Sequence, residues 1–256
     1  MTITNTFTTN APMTASVGPQ DIETRYDASE PQIEVWLSSL QSIEATCAYN
    51  EIASLTFDGE LDSDRIKQAI SKVVQRHGSL RSTFSEDGQQ VIVHRDENFI
   101  FEEVDLRDMQ DDELEEALQE VIINQASTPF DLVDGPLLRV VLQTISELSY
   151  KLTFTAHHLV LDGWSLSVFC HDLGYYYATI GGEKRDPLPP VNQYDNYSKE
   201  MEAYLVSADG KADEAFWVDQ FADEIPVLEL PTEKTRPSLR TYFGHRYDHH
   251  LSLIHI

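Results

Sequence analysis

The sequence predicts an α/β fold of the α+β kind, a two-layer sandwich with a mixed, largely antiparallel sheet covered by helices. Three observations predict it. Runs with strand-like alternation are interspersed with amphipathic helical runs, the pattern of a sheet with covering helices. The connections between them are too irregular for a repeated βαβ winding. No internal repeat recurs in 256 residues that are 41% hydrophobic, enough chain to bury a full core.

Residues 1–24 read as a disordered leader, because their few apolar side chains show no period, and structure is expected to begin near Tyr26. Ser29–Leu40 reads as a short amphipathic helix, with Ser29 as cap, Pro31 in the first turn, and Ile33, Trp36, Leu37 and Leu40 at helical spacing. Glu51–Phe57 alternates as a strand. Asp62 then caps a helix whose Ile66, Ala69, Ile70, Val73, Val74 and His77 share one face. Leu80–Phe84 and Gln90–Val93 flank the turn Ser85–Gly88 as a hairpin, and Phe99–Val104 adds a strand, so the sheet is expected to grow by local pairing. Asp111–Gln125 reads as a helix covering the sheet, with acidic residues in its first turn and Leu114, Leu118, Val121 and Ile122 on one face. Leu137–Ile145 and Tyr150–Ala156 are apolar strands, the second ending at His157. Gly163–Thr179 is expected to be helical. After a break at Gly181–Pro190, taken as a subdomain boundary, come helices over Gln193–Leu205 and Lys211–Phe221.

Composition narrows the partners. The 44 acidic against 18 basic side chains give a formal charge of −26, a field that repels phosphate backbones and anionic membrane surfaces. No nucleic acid and no membrane is expected. Taken alone, the charge describes a solvated surface and names no function. Cys47 and Cys170 are far apart in segments that read as buried or helical, so neither a disulfide framework nor a CxxC metal site is indicated, and a cytoplasmic setting fits. Met1–Gln20 has neither the basic nor the apolar region of a signal peptide, and no apolar run reaches membrane-spanning length.

The chemistry-bearing segment runs from Ala156 to Ser165, where an apolar strand ends and a helix opens. An imidazole suits proton transfer near neutral pH: it can accept a proton from an attacking amine or hydroxyl and return it to a leaving thiolate. Asp162, four residues beyond His158, is placed to fix the turn through a charged partner. Gly163 permits close backbone approach, and its N–H can face an oxyanion. Two adjacent histidines at a strand end are, by themselves, more often satisfied polar residues than catalysts. Three His and Asp side chains are also metal-ligand types, yet adjacent strand residues face opposite ways and would not converge on one ion. No metal is expected.

His157, His158, Asp162 and Gly163 reproduce the HHxxxDG pattern, and here the chain resembles the condensation domains of nonribosomal peptide synthetases. Ser29–Leu37 is similar to the family's opening SxAQxRLW motif, with Pro31 and Glu34 in place of its Ala and Arg. Arg76–Phe84 is similar to RHExLRTxF. Pro129–Leu132 with Gly135–Arg139 resembles PFDLxxGPLLR, Gln193–Tyr197 resembles YxDY, and Phe216-Trp217 with Leu228–Pro231 resembles the linker into the second lobe. The resemblance runs from Tyr26 to Arg246.

The resemblance implies a chloramphenicol-acetyltransferase-like fold with two lobes and a tunnel between them. It implies amide-bond formation between a donor acyl or peptidyl thioester and an acceptor aminoacyl thioester, both on phosphopantetheine arms of carrier proteins, beside an adenylation domain. No cofactor of its own is implied. Carried over by position, His158 is the catalytic histidine, His157 supports it, and Asp162 is a structural anion paired with Arg81. Trp36, Phe84 and Trp164 are expected to pack in the core, and Arg76 to be a surface cation at a helix end. By the same resemblance residues 25–180 form the N-terminal lobe, 181–250 the linker and the start of a C-terminal lobe that this chain does not complete. Leu251–Ile256 is the translation of a transposon end widely used in sequencing-library preparation and is expected to be an adapter artefact. The chain alone is expected to be inactive. Epimerising relatives continue DGVSWR where this chain has Gly163–Ser167, and heterocyclising ones replace the histidines with aspartates. Two rival readings stand beside this one: a coenzyme A-dependent O- or N-acyltransferase of the same superfamily, and a non-catalytic carrier-docking module.

Overall fold

The computed structural model describes residues 22–223 and scattered positions between 225 and 244. Of the leader expected over residues 1–24, residues 1–21 lie outside the described residues, as do Leu251–Ile256 and part of the expected linker, while Ile22–Thr24 belong to a strand. In chain order the elements are β1 (Ile22–Asp27), α1 (Glu30–Ser39), α2 (Ile43–Cys47), β2 (Asn50–Asp58), α3 (Ser63–Arg76), a 3-10 turn (Gly78–Arg81), β3 (Ser82–Phe84), β4 (Gln90–His94), β5 (Ile100–Asp105), α4 (Asp111–Ser127), β6 (Leu138–Ser146), β7 (Ser149–His157), α5 (Gly163–Ile180), α6 (Tyr194–Leu205) and α7 (Ala208–Gln220).

The strands form two sheets, of order β1-β4-β3 and β2-β7-β6-β5. Local pairing accounts for the hairpins β3–β4 and β6–β7 only. β2 pairs antiparallel with β7, from Asn50 opposite His157 to Asp58 opposite Ser149, and β1 pairs with β4. β5 lies parallel to β6, because α4 carries the chain across as a single βαβ crossover. β1 takes in Ile22–Arg25, ahead of the Tyr26 at which structure is expected to begin. β1 is held by backbone pairing to β4 and has no fully buried side chain, so it leaves little apolar pattern to read.

The core lies on one face of the four-stranded sheet. Leu138, Val140 and Leu142 of β6 and Leu152, Phe154 and Ala156 of β7 meet Ile66, Ala69, Ile70, Val73 and Val74 of α3 and Phe169 and Leu173 of α5. Each buried aliphatic side chain contributes roughly 1.5–3 kcal/mol. Asp62 caps α3 by accepting the Arg65 N–H at 2.9 Å. At the start of α1, Gln32 Oε1 accepts the Ser29 N–H at 3.1 Å. Strand alternation turns the other face polar and still buried: Arg139, Gln143, Thr153, Thr155 and His157 lie there. α4 covers that face incompletely, for Leu114, Leu118, Val121 and Ile122 are only half-buried and the helix buries no residue fully.

Gly88, at φ +70° in the β3–β4 turn, lies so close to Trp36 that a Cβ would come within 2.3 Å of the indole. Trp36 and Phe84 are core residues as expected, but Trp164 is 83% exposed. It lies one turn before the stripe of α5 that meets α3, and off it. No helix among the described residues is long and apolar enough to cross a membrane.

Candidate active site

β7 delivers His157 to the end of the four-stranded sheet, and the chain then turns tightly into α5. The turn is pinned on three sides: His157 N–H donates to Leu137 O at 3.2 Å, His158 N–H to Tyr49 O at 2.8 Å, and Val160 N–H to His157 O at 2.9 Å. Leu159, Val160 and Leu161 are buried beneath it. Position and rigidity therefore come from backbone bonds to the residues just before β6 and β2, plus an apolar floor.

The two histidines diverge. His157 is fully buried between the strand and the α1–α2 corner. Its Nδ1 accepts the Leu159 N–H at 3.3 Å, which leaves the proton on Nε2 to donate to Thr46 Oγ1 at 3.3 Å and Ser39 Oγ at 3.5 Å. The Phe130 ring meets the imidazole edge-on, with centroids 6.2 Å apart, and Tyr49 lies on another side at 5.9 Å. Burial, with the neighbouring His158 adding to it, pulls the pKa of His157 down to about 4, so it is neutral at physiological pH. His158 is exposed, and its ring makes no hydrogen bond among the described residues. Its imidazole is accessible from solvent; that of His157 is not.

Asp162 is the N-cap of α5. Its Oδ1 accepts the Ser165 N–H at 2.8 Å and the Ser165 hydroxyl at 2.6 Å, and these bonds hold its carboxyl below the ordinary range. The expected pairing with Arg81 is not formed. Arg81 ends the 3-10 turn that leads into the three-stranded sheet, where it donates to Glu23 of β1 and to His94 O of β4. Asp162 is anchored by a helix start rather than by a cation. Gly163, the first residue of α5, keeps its N–H outside the helical ladder, and a Cβ there would meet nothing within 4 Å. The turn is therefore open on that side.

Beside the turn lies a cavity of about 270 Å³, lined by Leu161, Trp164 and Ser165 and by His77, Asn192 and Tyr197 across from them. His77 on its wall belongs to a latch between helices. Asp172 of α5, buried, accepts from Arg76 Nε at 2.9 Å, His77 Nε2 at 2.8 Å and His171 Nδ1 at 3.0 Å. Burial opposes ionisation of Asp172, but those bonds outweigh it and hold its carboxyl below the usual range. Arg76 is thus no free surface cation: it ties α3 to α5 and also donates to Pro189 O in the linker. Gln193 adds two bonds across the same turn, accepting Gly78 N–H and donating to Arg76 O, both at 2.9 Å.

Sequence reasoning did not find Ser39, Thr46, Tyr49 and Phe130 around His157. The short α2 that carries Thr46 has one readable signal: Ser42, which caps it by accepting the Ala45 N–H at 3.1 Å.

With the geometry in view, comparison with known proteins gives a consistent answer. The family described as "Condensation domain" matches residues 22–253. One of the linear gramicidin synthase proteins of Brevibacillus parabrevis is 33% identical over 202 residues, which is 78% of this chain and 3% of that protein. Surfactin synthase subunit 1 of Bacillus subtilis (strain 168) is 33% identical over 234 residues, 91% of this chain and 6% of that protein. Among solved structures, the starter condensation domain of rhizomide synthetase superposes with a TM-score of 0.70 at 21% identity, over 78% of this chain and 48% of that one. The first condensation domain of the calcium-dependent antibiotic synthetase, bound to a substrate analogue, does so with a TM-score of 0.70 at 23% identity, over 80% of this chain and 51% of that one. This chain therefore spans a small fraction of those synthases and about half the length of the solved domains. A histidine pair on a capped turn, the sheet that presents it and a family match over most of the length agree: the chain belongs to the condensation domain family.

Proposed function

We propose that this chain supplies the histidine half of a condensation domain, which joins a donor acyl or peptidyl thioester to the amino group of an acceptor aminoacyl thioester, both carried on phosphopantetheine arms. The acceptor amine attacks the thioester carbonyl, an oxyanion forms, the carbon–sulfur bond breaks, and the amine's proton leaves with the thiol. His158, exposed at the end of β7, is the group that meets the reacting amine and can carry that proton. Gly163 leaves space and a free N–H at the start of α5, where a developing oxyanion is favoured. His157, neutral and buried, and Asp162, at the helix cap, hold the turn. The donor and acceptor carriers, an adjacent adenylation domain and the cytoplasm complete the reading, with no cofactor beyond the carriers' own arms. Residues 25–180 are proposed as the N-terminal lobe and 181–250 as the linker and the start of a second lobe.

The observation that carries this reading is the divergence of the two imidazoles, one sealed beneath a rigid turn and one presented to solvent beside an open glycine. The test uses the polypeptide extended to the length of the solved condensation domains, with loaded donor and acceptor carriers and mass spectrometry of the acceptor carrier. The expected product is the donor acyl group in amide linkage on the acceptor arm, abolished when the acceptor amine is blocked. Transfer to free alcohols or amines from coenzyme A thioesters alone contradicts it in favour of the wider acyltransferase class. Carrier binding without any transfer contradicts it in favour of a docking module.

A further inference from the structure

Arg139 of β6 is buried on the polar face of the sheet, with no carboxylate in salt-bridge range among the described residues. It instead grips the end of α4. Its guanidinium donates to Thr128 O at 2.8 Å, Gln125 O at 3.2 Å, Pro129 O at 3.3 Å and Gln125 Oε1 at 3.2 Å. Its plane lies 3.9 Å over the Phe130 ring centroid. Asn50 of β2 donates to the same stretch, to Gln125 O at 3.2 Å, Ala126 O at 3.1 Å and Thr128 O at 2.9 Å. The Gln125 and Ala126 carbonyls are orphan acceptors of the α4 C-terminus, where a cation is favoured, and Thr128 and Pro129 follow directly.

Burying a cation is costly, and desolvation draws the pKa of Arg139 down to about 10, which still leaves it charged at neutral pH. Merely ending a helix that buries no residue of its own does not need such a device. What the clamp surrounds is His157. Asn50 stands directly opposite His157 in the β2–β7 register, and Arg139 stands opposite Thr155, two residues earlier on the same face of β7. Phe130, gripped beneath the guanidinium, sets its ring at 90° to the His157 imidazole.

We propose that Arg139 is a positioning residue for the histidine turn: by fixing the end of α4 and Phe130 against His157, it determines where His158 stands. The catalytic consequence rests on the function proposed above, but the placement of His157 is measurable without any reaction. In this chain, labelled with ¹⁵N at histidine, wild-type His157 should show the neutral ring with its proton on Nε2 from about pH 8 down to about pH 5. In Arg139→Gln and in Phe130→Leu the two tautomers should mix, and the ring should titrate closer to the ordinary 6.5. Arg139→Lys, which keeps the charge but not the fork, should restore part of the wild-type behaviour. Arg76→Gln, which loosens the α3–α5 latch, should lower stability and leave the His157 signals in place. Should Arg139→Gln fail to fold, Phe130→Leu, with its apolar volume largely kept, decides. An Nε2-protonated, non-titrating His157 in the folded variants overturns the proposal, whatever happens to turnover. In the carrier assay the expected loss for Arg139→Gln is about tenfold in kcat at unchanged KM. A wild-type protein that forms no amide sinks the functional reading while leaving the ring measurement standing.

Discussion

At the end of β7 two neighbouring imidazoles occupy opposite environments, because the strand ends at the buried His157 and His158 stands in the exposed turn that follows. The buried one has an acid cost. His157 has its pKa lowered from 6.5 to about 4, so below pH 6.5 the unfolded chain takes up a proton that the folded chain refuses. Stability that is fully present above pH 6.5 is therefore lost progressively down to about pH 4, a loss of roughly 3 kcal/mol from this ring. Asp162 and Asp172, both held below the usual carboxylate range, keep their contributions through that window. Urea midpoints at pH 7.5 and about 4.5 should therefore fall further for wild type than for His157→Gln; equal falls would contradict the assignment. At this scale the histidine pair, the glycine and the cap of α3 are readable in the sequence, because each is a local pattern. Asp162 reads as an ion-pair partner and is instead a cap, since a carboxylate before a helix satisfies either role until the distant arginine is located. That Ser39, Thr46 and Phe130 surround His157 is not legible in the sequence, for these residues meet it only through tertiary packing.

Helices are legible wherever one face repeats with the helical period, and their ends follow from caps: α1, α3, α4 and α5 begin within one residue of the sequence reading. α2, with five residues, is too short to show a period. Pairing is less legible. Hairpins follow from turns, but the long-range neighbours β1–β4 and β2–β7 and the parallel β5–β6 pair depend on which edges meet in the folded chain. The latch between α3 and α5 belongs to the same long-range class. Asp172→Ala leaves Arg76 and His77 without their buried acceptor and should destabilise by about 3 kcal/mol, while Asp172→Asn, which keeps one acceptor oxygen, should cost less. Guanidinium unfolding of the two variants checks this, and an Asp172→Ala variant as stable as wild type would remove the latch from the account.

Over the whole molecule, a formal charge of −26 is combined with large exposed apolar side chains: Trp164 on α5, Phe216 and Trp217 on α7, and Phe221 just beyond it. Repulsion between like-charged chains opposes association through these side chains, and salt screens the repulsion. Light scattering of this chain should therefore show self-association that increases between about 0.05 and 0.5 M salt, and Trp164→Ser with Trp217→Ser should suppress it; a monomer at all salt concentrations would contradict the prediction. The two-layer class, the mixed sheet and the family are legible in the sequence because motif spacing survives where pairwise contacts cannot be foreseen. The division into two sheets is not. We propose that the exposed histidine of the turn acts on the reacting amine while the buried one only holds the turn. This is tested most directly by the rate of amide formation on loaded carriers with His158→Ala in the extended polypeptide. The rate should fall by about 10²–10⁴-fold with folding and carrier binding intact; an unchanged rate would exclude His158 as the group that acts on the amine.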